Sequence, residues 1–428
     1  MSATLTRLPA ADTLRVATSG SVDDGKSTLI GRLLYDTKAI LADQLATVER
    51  DTARRGGSGM DLALLTDGLT AEREQGITID VAYRYFATPR RRFILADTPG
   101  HEQYTRNMVT GTSHADLAII LVDARQGILP QTKRHAALVA LLRTPHVALA
   151  VNKMDLVGFD RAVFERLRDE FLALTASLGF ESVTPVPLSA LEGDMVVDRG
   201  TNLDWYTGPT LLQVLESAAT TRHIDGAFRY PVQLVSRSRF GERADSRGYM
   251  GRIESGSVRV GDEVRAWPSG VAAKVAQIVT LDGTLETAGA GRSVSLILDR
   301  QVDVTRGDLL THAHDAPVLA SEFAARLAWL DNTPLDPRRA YLVKHGTAVV
   351  KAKIVAIEDR LDIHTLQPIA GDTTLSANDI GRVRLKTARA LPLDPYAAVR
   401  SNGSFLLIDE ATLATVAAGL VEEVPQRG

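Results

Sequence analysis

The stretch GSVDDGKST, Gly20 to Thr28, limits what this chain can fold into more than any other. It has the form G-x-x-x-x-G-K-[ST]. It follows the short apolar run Leu14–Ser19 and leads into KSTLIGRLL, which has the apolar spacing of a helix. A strand, a glycine loop and a helix in that order wrap backbone N–H groups around phosphates and aim a helix dipole at them. Gly20 and Gly25 permit the tight backbone, and Ser21, Val22, Asp23 and Asp24 form the loop between them. Lys26 would reach the β- and γ-phosphates, Ser27 would give its hydroxyl to Mg²⁺, and Thr28 completes the stretch. A glycine turn ahead of an ordinary core helix could carry the same letters, but it would not need both flanks.

The chain around the loop alternates. Ile79–Ala87 and Arg92–Ala96 read as strands joined by the turn TPRRR, Leu117–Asp123 as a buried strand, and Thr132–Leu142 as a helix. Val147–Asn152 and Val183–Leu188 read as further strands, and Arg161–Gly179 as an amphipathic helix closed by a glycine. Alternation of this kind predicts an α/β P-loop domain with a doubly wound, mostly parallel sheet over residues 1–225. From Tyr230 the pattern changes to short strands with glycine turns. Two all-β barrel modules are expected, at 228–315 and 318–428, with Thr311–Pro317 as a linker. Between Tyr35 and Thr78 lies a long polar segment, read as an extended switch loop.

Four more stations lie beyond the phosphate loop along the chain. DTPGH supplies Asp97, Thr98, Pro99, Gly100 and His101. An Asp at a strand end suits a place one step outside the direct ligands of Mg²⁺, and the Gly100 N–H can bond a γ-phosphate. His101 would lie near the attacking water, as the catalytic residue. NKMD supplies Asn152, Lys153, Met154 and Asp155. The Asp155 carboxylate can accept from the ring N–H and the amine of guanine, whereas adenine would set acceptor against acceptor. Ser189, Ala190 and Leu191 would hold the guanine carbonyl side through the backbone. Thr78, in EREQGITID, could ligate Mg²⁺ and close over the γ-phosphate. NKMD alone is an ordinary polar turn. Behind a phosphate loop, in this order, it predicts a Mg²⁺-GTP hydrolase.

These residues resemble the translation-factor GTPases, such as elongation factor Tu. In detail, GSVDDGKSTLIGRLLYDT, DLALLTDGLTAEREQGITIDVAYRYF, DTPGHEQYTRNM and VNKMDLV resemble the GTPase subunit of bacterial heterodimeric sulfate adenylyltransferase. The likeness extends to GSFLLIDEATLATVAAGLV near the end. True elongation factors resemble GHVDHGKTT, and here Ser21 and Asp24 stand where two histidines would. The resemblance implies that GTP hydrolysis on this chain drives ATP and sulfate toward adenosine 5′-phosphosulfate and pyrophosphate. It implies a pyrophosphate-loop catalytic subunit as partner, in a heterodimer or a larger assembly. The sequence agrees with divided labour, because it holds one phosphate loop and no SGGxDS-type loop.

The alternative is a translation-factor-like GTPase acting on tRNA or the ribosome. Lys+Arg number 49 against Asp+Glu 52, a net charge of -3, and there is no basic stripe, which argues against nucleic acid. A third reading is a switch whose hydrolysis only times partner release. No apolar run approaches the ~18 residues of a membrane span, so no membrane partner is expected. With no cysteine and no signal pattern, a cytoplasmic location is expected. Arg90–Arg92 read as a solvated hairpin turn, His312–His314 as loop residues, and His345 as structural or part of a partner surface. Asp23 is expected near the phosphates, and a monovalent cation beside it is left open.

Overall fold

A computed structural model describes residues 12–40, 45, 62–65, 80–220, 226–237, 247–371 and 374–425. They fall into two compact units, within Met1–Thr221 plus Ile363–Leu366 and within Arg222–Asp362 plus Gln367–Gly428. Thr78 and most of the expected switch segment lie outside the described residues.

In the first unit, six strands form one sheet: β1 (Thr13–Ser19), β2 (Ala82–Ala87), β3 (Arg92–Asp97), β4 (Leu117–Asp123), β5 (His146–Asn152) and β6 (Ser182–Pro187), in the order β2-β3-β1-β4-β5-β6. Only β2 runs antiparallel, against β3. All seven residues of β4 are buried, as expected for a central strand covered by helices on both faces. The helices are α1 (Lys26–Asp36), α2 (Thr105–Thr112), α3 (Pro130–Leu141), α4 (Arg161–Thr175) and α5 (Leu211–Ser217). In α4 the Asp160 carboxylate accepts from the Ala162 N–H, and Phe164, Leu167 and Phe171 form the buried stripe. The helix ends at Thr175, short of the expected Gly179. β1 sits between β3 and β4, so successive connections leave it in opposite directions. The carboxyl ends of the strands at that switch point are where a ligand is expected in such sheets.

Arg91 is not solvated as its turn suggested. It is buried, and its guanidinium donates to the carbonyls of Leu215 and Ala218 and to the Asp12 carboxylate. Its neighbour Arg90 is exposed and pairs with Glu216 at 3.3 Å.

The second unit holds two closed barrels. The first comprises β7 (Tyr230–Arg237), β8 (Arg247–Arg252), β9 (Ser257–Arg259), β10 (Glu263–Trp267), β11 (Ala272–Thr280), β12 (Gly283–Leu285), β13 (Thr287–Gly289), β14 (Ser293–Leu298) and β15 (Leu309–His312). Its ring runs β10-β15-β7-β8-β14-β11 and closes by pairing β10 with β11. The expected linker therefore starts later: Thr311 pairs with Arg265 and His312 with Val264 inside the barrel. The second barrel comprises β16 (Val318–Trp329), β17 (Tyr341–His345), β18 (Ala348–Leu361), β19 (Pro368–Ala370), β20 (Ile380–Leu393), β21 (Ser404–Asp409) and β22 (Thr415–Glu423). It closes through β17 and β18. A separate apolar core fills each barrel, around Tyr230, Tyr249 and Val294 in one and Trp329, Tyr341 and Phe405 in the other.

A buried polar cluster joins the two barrels. The Arg229 guanidinium donates to both Asp394 oxygens, at 2.6 and 2.8 Å, and to the Asp315 carbonyl. Asn402 donates to Asp394, and the His345 Nε2 lies 2.8 Å from the Asn402 carbonyl oxygen. His345 is thus an interior group; burial, above all, lowers its pKa. His312 stacks on His314 and lies tilted against Phe228, and no cluster of His, Asp or Glu suited to a metal occurs among the described residues.

Candidate functional site

Three loops meet at the carboxyl edge of the sheet. The first leaves β1 at Ser19 and enters α1 at Lys26. Gly25 stands at φ 92° with no side chain capping the helix, so the first-turn N–H groups face the loop. A Cβ on Gly25 would lie 2.5 Å from the Asn152 Nδ2, so no larger residue fits there. Lys26 is buried, and its ammonium donates to the carbonyls of Gly20, at 2.7 Å, and Ser21, at 2.9 Å. Burial lowers its pKa, while the carboxylates of Asp97, Asp24 and Asp23 act in the opposite direction.

Asp24 points inward. Its carboxylate accepts the Ser21 N–H at 2.5 Å, and burial raises its pKa against the pull of Lys26. The Ser21 hydroxyl is buried without a partner among the described residues. Val22 and Asp23 are exposed on the rim, and Ser27 and Thr28 are half-buried in the first turn of α1.

Asp97, Thr98, Pro99 and Gly100 are all buried beside this loop. The Thr98 hydroxyl donates to the Thr18 carbonyl, and the Thr18 hydroxyl lies 3.4 Å from Asp97. A Cβ on Gly100 would sit 2.3 Å from the Gly20 oxygen and 2.4 Å from the Lys26 Nζ. That close approach requires glycine. His101, next in the chain, is exposed, and its Nδ1 accepts the Gln103 N–H at 3.3 Å.

The third loop is tied to the first by one side chain. Asn152 donates through Nδ2 to the Asp24 carbonyl at 2.7 Å and accepts through Oδ1 from the Ala190 N–H at 3.0 Å. Lys153, at φ 62°, donates to the Asp23 carbonyl and pairs with Asp123 at 3.0 Å. Met154 is buried beneath, and Asp155 accepts from the Ser189 hydroxyl at 2.7 Å. Leu191 is exposed at the loop's outer end.

Two supports of the site, Asp123 and Arg32, lie outside the motifs. Asp123 ends β4 and accepts from Arg125 and Lys153. Burial opposes its ionisation, but these hydrogen bonds hold its pKa down at about 2. Its place at the end of an apolar strand, like that of Asp97, was a usable signal. Arg32 on α1 donates to the carbonyls of Ala190 and Leu191 and so fixes the third loop, a contact no local pattern announces.

The residues fit the phosphates of a nucleoside triphosphate. Two of the three Lys26 N–H groups are used, and a phosphate oxygen would take the third and balance a buried cation. The uncapped start of α1 offers the donors an anion needs.

Residues 11–221 match the family model of the elongation factor Tu GTP binding domain, and residues 322–422 that of the GTP-eEF1A C-terminal domain-like family. Sulfate adenylyltransferase subunit 1 of Bacteroides fragilis (strain YCH46) is 50% identical over 417 residues, 96% of this chain and 86% of that protein. The chain belongs to the sulfate adenylyltransferase subunit 1 family. Another subunit 1, from Bacteroides thetaiotaomicron, is 49% identical over 425 residues. The bifunctional enzyme CysN/CysC of Mycobacterium tuberculosis (strain ATCC 25618 / H37Rv) is 52% identical over 412 residues, 95% of this chain and 67% of that longer protein. A subunit 1 chain has a partner subunit by its name. No helix among the described residues is long and apolar enough to cross a membrane.

Proposed function

We propose that this chain is the GTP-hydrolysing subunit of a sulfate adenylyltransferase. It binds Mg²⁺-GTP, and hydrolysis drives ATP and sulfate to adenosine 5′-phosphosulfate and pyrophosphate on a pyrophosphate-loop partner subunit in the cytoplasm. One observation carries this reading: the half-identity to a named subunit 1 runs through both barrels as well as the nucleotide loops. A shared nucleotide fold alone would leave the purpose open.

The loop from Gly20 to Thr28 wraps the phosphates, with Lys26 at the β and γ positions. Ser27, Thr78 and, less directly, Asp97 would hold Mg²⁺, which would supply neutralising charge to the phosphate oxygens. The Gly100 N–H senses the γ-phosphate, and Thr98 and Pro99 set its approach. His101 orients the attacking water. Asp155 reads guanine, Asn152 and Lys153 brace the phosphate loop, Met154 packs beneath, and Ser189, Ala190 and Leu191 line the base.

The test is to purify the tagged chain from its own cells, identify what stays bound, and count GTP hydrolysed per adenosine 5′-phosphosulfate formed. A pyrophosphate-loop subunit and a fixed ratio support the proposal. Ribosomes or tRNA in its place, or product formed without GTP turnover, would sink it.

A further inference from the structure

Helix α3 carries a buried histidine that the nucleotide loops do not use. His135 is 1% exposed and lies one turn beyond Gln131. The Gln131 Nε2 stands 3.2 Å from the Gly100 carbonyl oxygen and 3.0 Å from the His135 Nε2, and the Arg134 guanidinium donates to the Gln131 Oε1 at 2.7 Å. These three contacts fix the amide. Turning it over would set its oxygen against the Gly100 oxygen and its NH₂ against a guanidinium.

An amide nitrogen only donates, so the His135 Nε2 must accept, and the ring carries its proton on Nδ1. That Nδ1 is buried without a partner among the described residues. Burial, helped by the charges of Lys26 and Arg134, lowers the His135 pKa to about 3, so the accepting form persists at neutral pH.

The Gly100 carbonyl belongs to the same rigid peptide as the His101 N–H. Glycine gives this peptide no rotational restraint of its own. We propose that Gln131 is a positioning residue for hydrolysis: its amide, oriented by His135 and Arg134, holds the Gly100–His101 peptide and so sets where the Gly100 N–H and the His101 ring stand. The His101 half of this rests on the catalytic reading above.

The experiment is single-turnover GTP hydrolysis by the full chain, alone and with its co-purified partner, alongside GDP affinity. The variants are Gln131→Ala, the isosteric Gln131→Glu, His101→Ala and the Gln131→Ala/His101→Ala double. Both Gln131 variants should slow hydrolysis roughly tenfold or more while GDP affinity stays within about twofold, because only orientation is lost. In the His101→Ala background, Gln131→Ala should cost less than it does alone. Hydrolysis at the parental rate in both Gln131 variants would overturn the proposal, as would a slowing matched by lost GDP affinity. If His101→Ala alone hydrolyses at the parental rate, the catalytic reading of His101 fails. Slow Gln131 variants would then assign the effect to Gly100.

Discussion

At the scale of single residues, the guanine loop makes the sharpest prediction. Asp155 presents a carboxylate already oriented by the Ser189 hydroxyl. Asp155→Asn exchanges one acceptor for a donor, which guanine cannot use and the 2-carbonyl of xanthine can. GTP affinity should fall by roughly a hundredfold or more and affinity for xanthosine triphosphate should rise, read by competition titration. If GTP and its xanthine analogue weaken equally, Asp155 does not read the base. Gly100 makes a second prediction. Its missing Cβ is what lets the chain pass the Gly20 oxygen and the Lys26 ammonium. Gly100→Ala should weaken GTP more than GDP, because only the triphosphate uses the contact proposed for the Gly100 N–H; equal losses would count against the sensor role.

At the scale of elements, the seam between the barrels is built on a buried charge. Arg229 is 2% exposed and meets Asp394 through two hydrogen bonds, with Asn402 and His345 arranged behind. Asp394→Ala strands that guanidinium and should cost about 3–5 kcal/mol in the second unit. Asp394→Asn keeps the shape and should cost less. Urea unfolding of the two variants checks this, and a neutral Asp394→Ala would mean that water replaces the carboxylate. GTP chemistry should survive wherever the fold does, since this cluster belongs to the second unit. The local segments follow their patterns closely: Leu117–Asp123 is the strand that its unbroken apolar run predicts, because a strand covered on both faces has no alternation to obscure. Helix ends drifted by a few residues, since caps and turns compete there on nearly equal terms.

At the scale of the whole molecule, two buried histidines tie stability to pH. Burial lowers the pKa of His135, to about 3, and also that of His345. The unfolded chain takes up a proton on each near pH 6.5 and the native chain does not. The stability that goes with their neutral forms is therefore complete above about pH 6.5 and falls as pH drops toward the folded values, by up to about 1.4 kcal/mol per unit per histidine. Asp123, held at about 2, adds loss only below about pH 4. The urea midpoint should thus fall between pH 7 and pH 5, and His345→Gln should flatten that fall for the second unit. An unchanged slope would place the acid sensitivity elsewhere. Saturating GDP at about a hundred times its Kd should add about 2.7 kcal/mol of stability to the native chain, and Lys26→Ala should abolish that gain.

What the sequence determined by itself was the chemistry that depends on local backbone. A glycine loop between strand and helix, a carboxylate at a strand end and an N-K-x-D turn each carry their geometry within a few neighbouring residues, so order and spacing were enough to predict the fold class and gather candidate site residues. The tertiary structure decided everything that rests on pairing across long separations. Barrel closure through β10 with β11 and β17 with β18, the inclusion of Thr311 in a strand, and the burial of Arg91 and His345 depend on partners brought close by folding. So does Gln131, which lies 31 residues from the glycine whose carbonyl it holds. A solvated and a buried polar side chain look alike in a sequence; they part only when folding supplies, or withholds, the hydrogen bonds that offset desolvation.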